Sequence, residues 1–163
     1  FSLIRGIVEQ SLLAETHRAL DVRNAANRIV LIKFGSDPDI EVVETLTDGI
    51  RPIVSIEIKG GADASNIHNR LGEAEKSHQK ARKLGFHQFW TIARVAVSAD
   101  VVGAESPTTT RYFCLDHVLD EGSVQHRSFV QELTALLGIP MEATRRRTAP
   151  SRGPARDRSR RKL

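Results

Sequence analysis

Asp48-Gly49 stands between two β-prone runs, residues 39 to 44 and 50 to 59. An Asp-Gly pair in that setting is a strong short-range hairpin signal. Side chains in a strand alternate between its two faces, so Val54, Ile56 and Ile58 share one face while Ser55, Glu57 and Lys59 share the other. The apolar row must be buried. The polar row therefore places an acid and a lysine side by side on the opposite face.

The rest of the chain arranges itself around this hairpin. Ile4, Val8, Leu12, Ala19 and Val22 recur at helical spacing among polar residues such as Glu9, Glu15 and Arg18, which predicts an amphipathic helix over residues 3 to 27. Residues 29 to 34 form a β-branched and aromatic run closed by Gly35-Ser36-Asp37-Pro38, a strand and a turn. After Gly60-Gly61 a second helix is expected from about Ser65 to Leu84, with Arg82 and Lys83 in its last turn and Gly85 beyond it. Its inner stripe is Ile67, Leu71, Ala74, His78 and Ala81. Residues 89 to 98 and 108 to 117 read as further strands joined by a loop, and residues 123 to 137 as a last helix ended by Gly138 and Pro140. This order predicts an α/β (α+β) domain with a mixed β-sheet flanked by helices.

Charge divides the chain. Of the net +4, the stretch TRRRTAPSRGPARDRSRRKL over residues 144 to 163 carries eight Arg and one Lys against one Asp, so residues 1 to 143 total −4. The expectation is a folded domain over 1–143 and a disordered basic tail over 144–163. The tail has too few apolar side chains to fold alone; it either attracts a polyanion or serves as a solvated end. No apolar run approaches the ~20 residues needed to span a bilayer, and no signal peptide is visible. The single thiol, Cys114, cannot close an intrachain disulfide, which favours a reducing, cytoplasmic setting. A chain starting at Phe1 with its only Met at Met141 reads as a piece lacking upstream sequence.

Chemistry concentrates in Pro38-Asp39, followed after seventeen residues by Glu57-Ile58-Lys59. Two neighbouring carboxylates suit a hard cation such as Mg²⁺, which prefers oxygen ligands and keeps several waters. A lysine beside them can hold the charge that accumulates when a phosphodiester is attacked. Asp39 reaches that face only in the right register. A two-residue Asp48-Gly49 turn sets it opposite Ile58, on the wrong side, whereas one irregularity moves it opposite Glu57 or Lys59. Pro52, which cannot donate to the ladder, is the candidate cause, and the irregularity is expected between Asp48 and Ile53.

These residues resemble the PD-(D/E)XK nuclease pattern. The stretch IEIKGGADASNIHNRLGEAEKSHQKARKLGF is similar to type II restriction endonucleases of the XcyI type, mainly over residues 38 to 90. The resemblance implies a restriction-endonuclease-like core and a Mg²⁺-dependent endodeoxyribonuclease that cuts double-stranded DNA as a homodimer at a short palindrome. A GC-rich hexamer of the CCCGGG kind and a cognate DNA methyltransferase are implied with it. Carried over by position, Asp39 and Glu57 bind the metal and Lys59 orients or activates the attacking water.

Other residues carry two readings each. Glu9, Glu15 and Glu73 are possible additional acids, although a solvated helix face or ion pairs along the helix explain them as well. Asp37 and Asp48 are turn residues, with Asp48 an alternative first acid. Glu75 is either an acid or a helix-surface partner of Lys76, Gln79 or Lys80. Asn66, His68, Asn69, Arg70, Lys76, Gln79 and Lys80 are donors suited to DNA, while His78 on the apolar stripe reads as a core histidine. Gly60-Gly61 is a strand-to-helix turn or a point of close backbone approach. Two alternative functions remain: a repair or junction-resolving nuclease of the same fold, and a non-enzymatic nucleic-acid-binding protein acting through its tail. Aromatic residues at 5% disfavour a single-strand binder built on stacking.

Overall fold

A computed structural model describes residues 1–140, so the Arg-rich stretch over 144–163 lies outside the described residues. Seven strands form one sheet in simple order: β1 Leu12–Thr16, β2 Ala19–Arg23, β3 Ile29–Phe34, β4 Ile40–Leu46, β5 Gly49–Lys59, β6 Phe89–Ala93 and β7 Arg111–Cys114. The first five run antiparallel; β6 and β7 join parallel to β5. The helices are α1 Ser2–Val8, α2 Ile67–Lys83, α3 Ala99–Glu105, α4 Leu115–Leu119 and α5 Val124–Leu137. The mixed sheet flanked by helices is the expected architecture.

Alternation along the strands builds the core. Leu20, Val22, Val30, Ile32, Ile40, Val42, Val54 and Ile56 project from one face against α1 and α5, where they are joined by Ile4, Val8, Leu133 and Leu137. Trp90, Phe113 and Phe129 pack there with ring centroids 5.4–5.7 Å apart, a spacing that suits tilted and edge-to-face aromatics. The other face is covered by α2, whose buried residues Ile67, Leu71, Ala74, His78 and Ala81 are the predicted stripe. α5 begins with the Ser123 hydroxyl accepting the His126 N–H and ends on Gly138 at φ 68°, a left-handed C′ position.

Three sequence expectations are corrected. The helix over 3 to 27 stops at Val8, a single 3-10 turn follows over Glu9–Ser11, and β1 and β2 come next. Leu20 and Val22 are both fully buried and pair with Ile32 and Val30. Residues two apart lie about 200° apart on a helix, so only a strand buries both on one side. The β6–β7 connection contains α3, whose N-cap Ser98 accepts the Val101 N–H, and the strands flanking it are shorter than expected. The β4–β5 turn is Thr47-Asp48, since Leu46 pairs with Gly49.

Phe129 is 1% exposed at the centre of the aromatic cluster. Phe129→Ala is expected to lower unfolding free energy by about 3–5 kcal/mol. Urea denaturation of the two proteins measures it.

Candidate active site

The β4–β5 ladder carries an irregularity. Leu46–Gly49 through Val43–Pro52 pair in one register and Val42–Val54 through Ile40–Ile56 in the next, so Ile53 is the extra residue. It follows Pro52 directly, at the edge of the predicted stretch. Continued past Ile40, the inner register brings Asp39 opposite Glu57. The Asp39 side chain is held there by the Ile58 N–H, which donates to its Oδ2 at 2.6 Å.

Glu57 lies beneath α2 and is 2% exposed. Lys59 Nζ donates to its Oε2 at 2.9 Å, while its Oε1 is buried without a hydrogen-bond partner. Burial pushes the Glu57 carboxyl above its ordinary range; the Lys59 hydrogen bond and charge pull it back, and the Asp39 carboxylate adds to the rise. Ser77 on α2 brings its hydroxyl near both the Glu57 and Asp37 carboxyls and favours their charged forms. Lys80, one helical turn on, pairs with Asp37 at 2.7 Å, and that bond holds the Asp37 carboxyl below its usual value. Asp37, Asp39, Glu57, Lys59, Ser77 and Lys80 thus form one cluster.

Sequence reasoning read Asp37 only as a turn residue and did not single out Ser77 as polar ligand to an acid. A polar side chain on α2 facing a catalytic-type strand has no pattern of its own. The helix periodicity did contain a clue, because Ser77 and Lys80 are three apart in the polar row beside the buried stripe.

The remaining candidates go elsewhere. Glu9 and Glu15 both pair with Arg5, at 2.8 and 3.1 Å. Glu15 sits on β1, four strands from β5, which at strand spacing is roughly 19 Å. The structure brings neither acid to the cluster, since the long helix expected to carry them there is absent. Glu73 is exposed on α2, one turn before Ser77, and Asp48 lies at the opposite end of β5. Among the DNA-facing candidates, Asn69 donates to Asn66 at 2.7 Å and His68 meets Glu105 at 2.9 Å. Gln79 turns to Glu75 and Thr108, and Lys76 is exposed.

Glu75 ties α2 to the loop before β7. Its carboxylate accepts from the Thr108 N–H and hydroxyl, the Ser106 hydroxyl and Gln79. His78 is fully buried, as its stripe position predicted, and its Nε2 lies 2.9 Å from Thr91 Oγ1. Thr91 is in turn 2.9 Å from Thr109 Oγ1. Burial lowers His78 to about 4; Glu75 opposes the shift and Lys59 reinforces it. A neutral imidazole leaves Lys59 as the cation of this interior corner.

The model for the XcyI restriction endonuclease matches residues 1–140. The chain belongs to that family. It is 43% identical over 143 residues to the type II restriction enzyme XcyI of Xanthomonas campestris pv. cyanopsidis, covering 86% of this chain and 43% of that enzyme. It is also 43% identical over 146 residues to the type II restriction enzyme Cfr9I of Citrobacter freundii, covering 86% of this chain and 44% of that enzyme. The chain therefore spans under half the length of these curated relatives. No solved structure matches it. Membership in the XcyI restriction endonuclease family agrees with the pattern read from Pro38-Asp39 and Glu57-Ile58-Lys59.

The His78 shift has a signed consequence. Its pKa is 6.5 in the unfolded chain and about 4 in the fold, so between those values the unfolded state binds the extra proton. Its contribution to stability is complete above pH 6.5 and is lost as pH falls toward 4. Urea unfolding of the protein and of His78→Gln across this range is expected to show a shallower pH dependence in the variant; equal slopes would contradict the assignment.

Proposed function

We propose that this chain forms the cleavage centre of a type II site-specific deoxyribonuclease, which hydrolyses phosphodiester bonds of double-stranded DNA at a short palindrome. The observation that carries the reading is the meeting of Asp39, Glu57 and Lys59 on one face of the sheet, within a chain of the XcyI family. The recognition site is a GC-rich hexamer of the CCCGGG kind. A homodimer, whose two-fold axis matches that of a palindrome, and a methyltransferase of the same specificity complete the proposal.

Mg²⁺ fits the donor set. Glu57 has a buried oxygen, Oε1, without a partner, and its carboxyl feels the repulsion of the Asp39 carboxylate, a strain that a hard cation relieves. Among the described residues there is no group of three His, Cys, Asp or Glu that could hold a metal, so Asp39 and Glu57 would hold the ion with water filling the remaining positions. Bound there, the ion supplies positive charge at the scissile phosphate and makes water more acidic. Lys59, 18% exposed and tethered to Glu57, presents its ammonium at the mouth of the site. It orients the attacking water and stabilises the added negative charge of the transition state. Asp39 is fixed by the Ile58 N–H through one carboxylate oxygen, which leaves the other for the ion. Lys80, released from Asp37, is placed to neutralise a nearby phosphate.

Incubation with plasmid and phage DNA, with Mg²⁺ or with chelator, is expected to give discrete fragments only with the metal. Lys59→Ala is expected to lower cleavage by about 10²–10³-fold while circular dichroism shows the same fold at the assay temperature. Comparable activity in Lys59→Ala would sink the assignment.

A further inference from the structure

The strand that carries Glu57 and Lys59 leaves the sheet through Gly60-Gly61, and the two glycines are not equivalent. A Cβ at Gly60 would meet nothing within 4 Å. A Cβ at Gly61 would lie 1.8 Å from Arg70 Nη2, 1.9 Å from Nη1 and 2.1 Å from Cζ. Gly61 is not among the glycines with positive φ, which are Gly49, Gly85 and Gly138. Its backbone is therefore open to any L residue, and what excludes a side chain there is the Arg70 guanidinium alone. The sequence offered a close approach of backbone to a phosphate at this glycine pair; the group that the structure brings to Gly61 is an arginine of the same chain.

That guanidinium has donors to spare. Arg70 is half-buried in the first turns of α2, and among the described residues its guanidinium forms no salt bridge and donates no hydrogen bond. The nearest acid it influences is Asp63, whose Oδ1 already accepts from the Ser65 N–H and hydroxyl. A guanidinium has five N–H donors in a planar fork. With no protein acceptor at the fork, those donors are open to an anion. The slot adjoins the active-site end of β5, where the Arg94 N–H also donates to the Lys59 carbonyl at 3.3 Å, and where the first N–H groups of α2 favour negative charge.

Resting on the nuclease reading, we infer that Arg70, seated in the space left by Gly61, is a clamp for a DNA backbone phosphate beside the cleavage centre. Gly61 is its positioning residue. The slot restrains the fork before DNA arrives, so less side-chain freedom is lost on binding. A phosphate is favoured over a base edge because the arginine leans on main chain at the level of the catalytic strand, where the substrate backbone must pass to be cut.

The test measures binding of the full chain to a duplex containing its cleavage site and to an unrelated duplex, with Ca²⁺ replacing Mg²⁺, across a salt series. Loss of one phosphate contact reduces the salt slope by about 0.9 and the affinity by about tenfold near 0.1 M salt. Arg70→Ala is expected to do this on both duplexes. Gly61→Ala, which expels the guanidinium without removing its charge, is expected to weaken binding severalfold and to add little in the Arg70→Ala background. Gly60→Ala is expected to match wild type, and all variants to keep the wild-type melting temperature. Arg70→Ala with unchanged affinity and slope overturns the clamp. So does a loss confined to the cognate duplex, which marks base reading, or an equal loss in Gly60→Ala, which marks direct contact of DNA with the glycine pair. A wild-type chain that binds neither duplex overturns the nuclease reading itself, and the clamp with it.

Discussion

The register of β4 against β5 depends on one inserted residue. Partners are fixed by the hairpin at Leu46–Gly49, and if that register ran on unbroken, Asp39 would fall opposite Ile56, on the face that packs against α1 and α5. Ile53 shifts the pairing by one, and because side chains alternate strictly, one residue exchanges the faces. Pro52 sits at the break and has no N–H to lose, so the ladder is interrupted where interruption costs least. The shift also lets Ile53 and Val54 both join the core. One local feature thereby satisfies two demands, apolar burial on one side and a pair of carboxylates on the other.

Burying Glu57 under α2 is unfavourable for its charge, and the surrounding groups are arranged to limit that penalty. Lys59 supplies the nearest positive charge, Ser77 a nearby hydroxyl, and His78 stays neutral so that no second cation competes in the interior. At the surface, Asp37 and Lys80 neutralise each other. Counting Asp37, Asp39 and Glu57 against Lys59 and Lys80 leaves one net negative charge. The excess falls to Asp39 and the unpartnered Glu57 oxygen, the two groups proposed to share a cation.

What could be read from the sequence follows from how strongly each element is overdetermined. α2 carried its own periodicity, and its buried face matches it residue by residue; β5 carried the alternation of its two faces, although Ser55 and Glu57 on the polar row are buried as well. The site triad was legible because a strand fixes Glu57 and Lys59 to one side, and because Pro52 pointed to the irregularity that Asp39 needed. The segment from Leu12 to Arg23 was not legible: Leu12, Ala19 and Val22 fit a helical spacing, and only the partners Val30 and Ile32 decide for strands. Asp37 and Ser77 escaped for a related reason. Each has a satisfactory local explanation, as turn former and as exposed helix residue, and their meeting is made by tertiary structure.

The position of the cluster follows from the change of strand direction at β5. An antiparallel neighbour enters at the end where β5 leaves, so the β3–β4 turn necessarily delivers Asp37 and Asp39 beside Glu57 and Lys59. A parallel neighbour must instead be reached by a crossover, and the crossover to β6 is α2, which runs over the strand and brings Ser77 and Lys80 down onto the same end. The same crossover begins with the Gly60-Gly61 exit, so Arg70 is also delivered to that end. Neither arrangement alone would suffice. A purely antiparallel sheet would supply the acids without the helical lid that buries Glu57, and a purely parallel one would carry the adjacent turn to the far end of the strand.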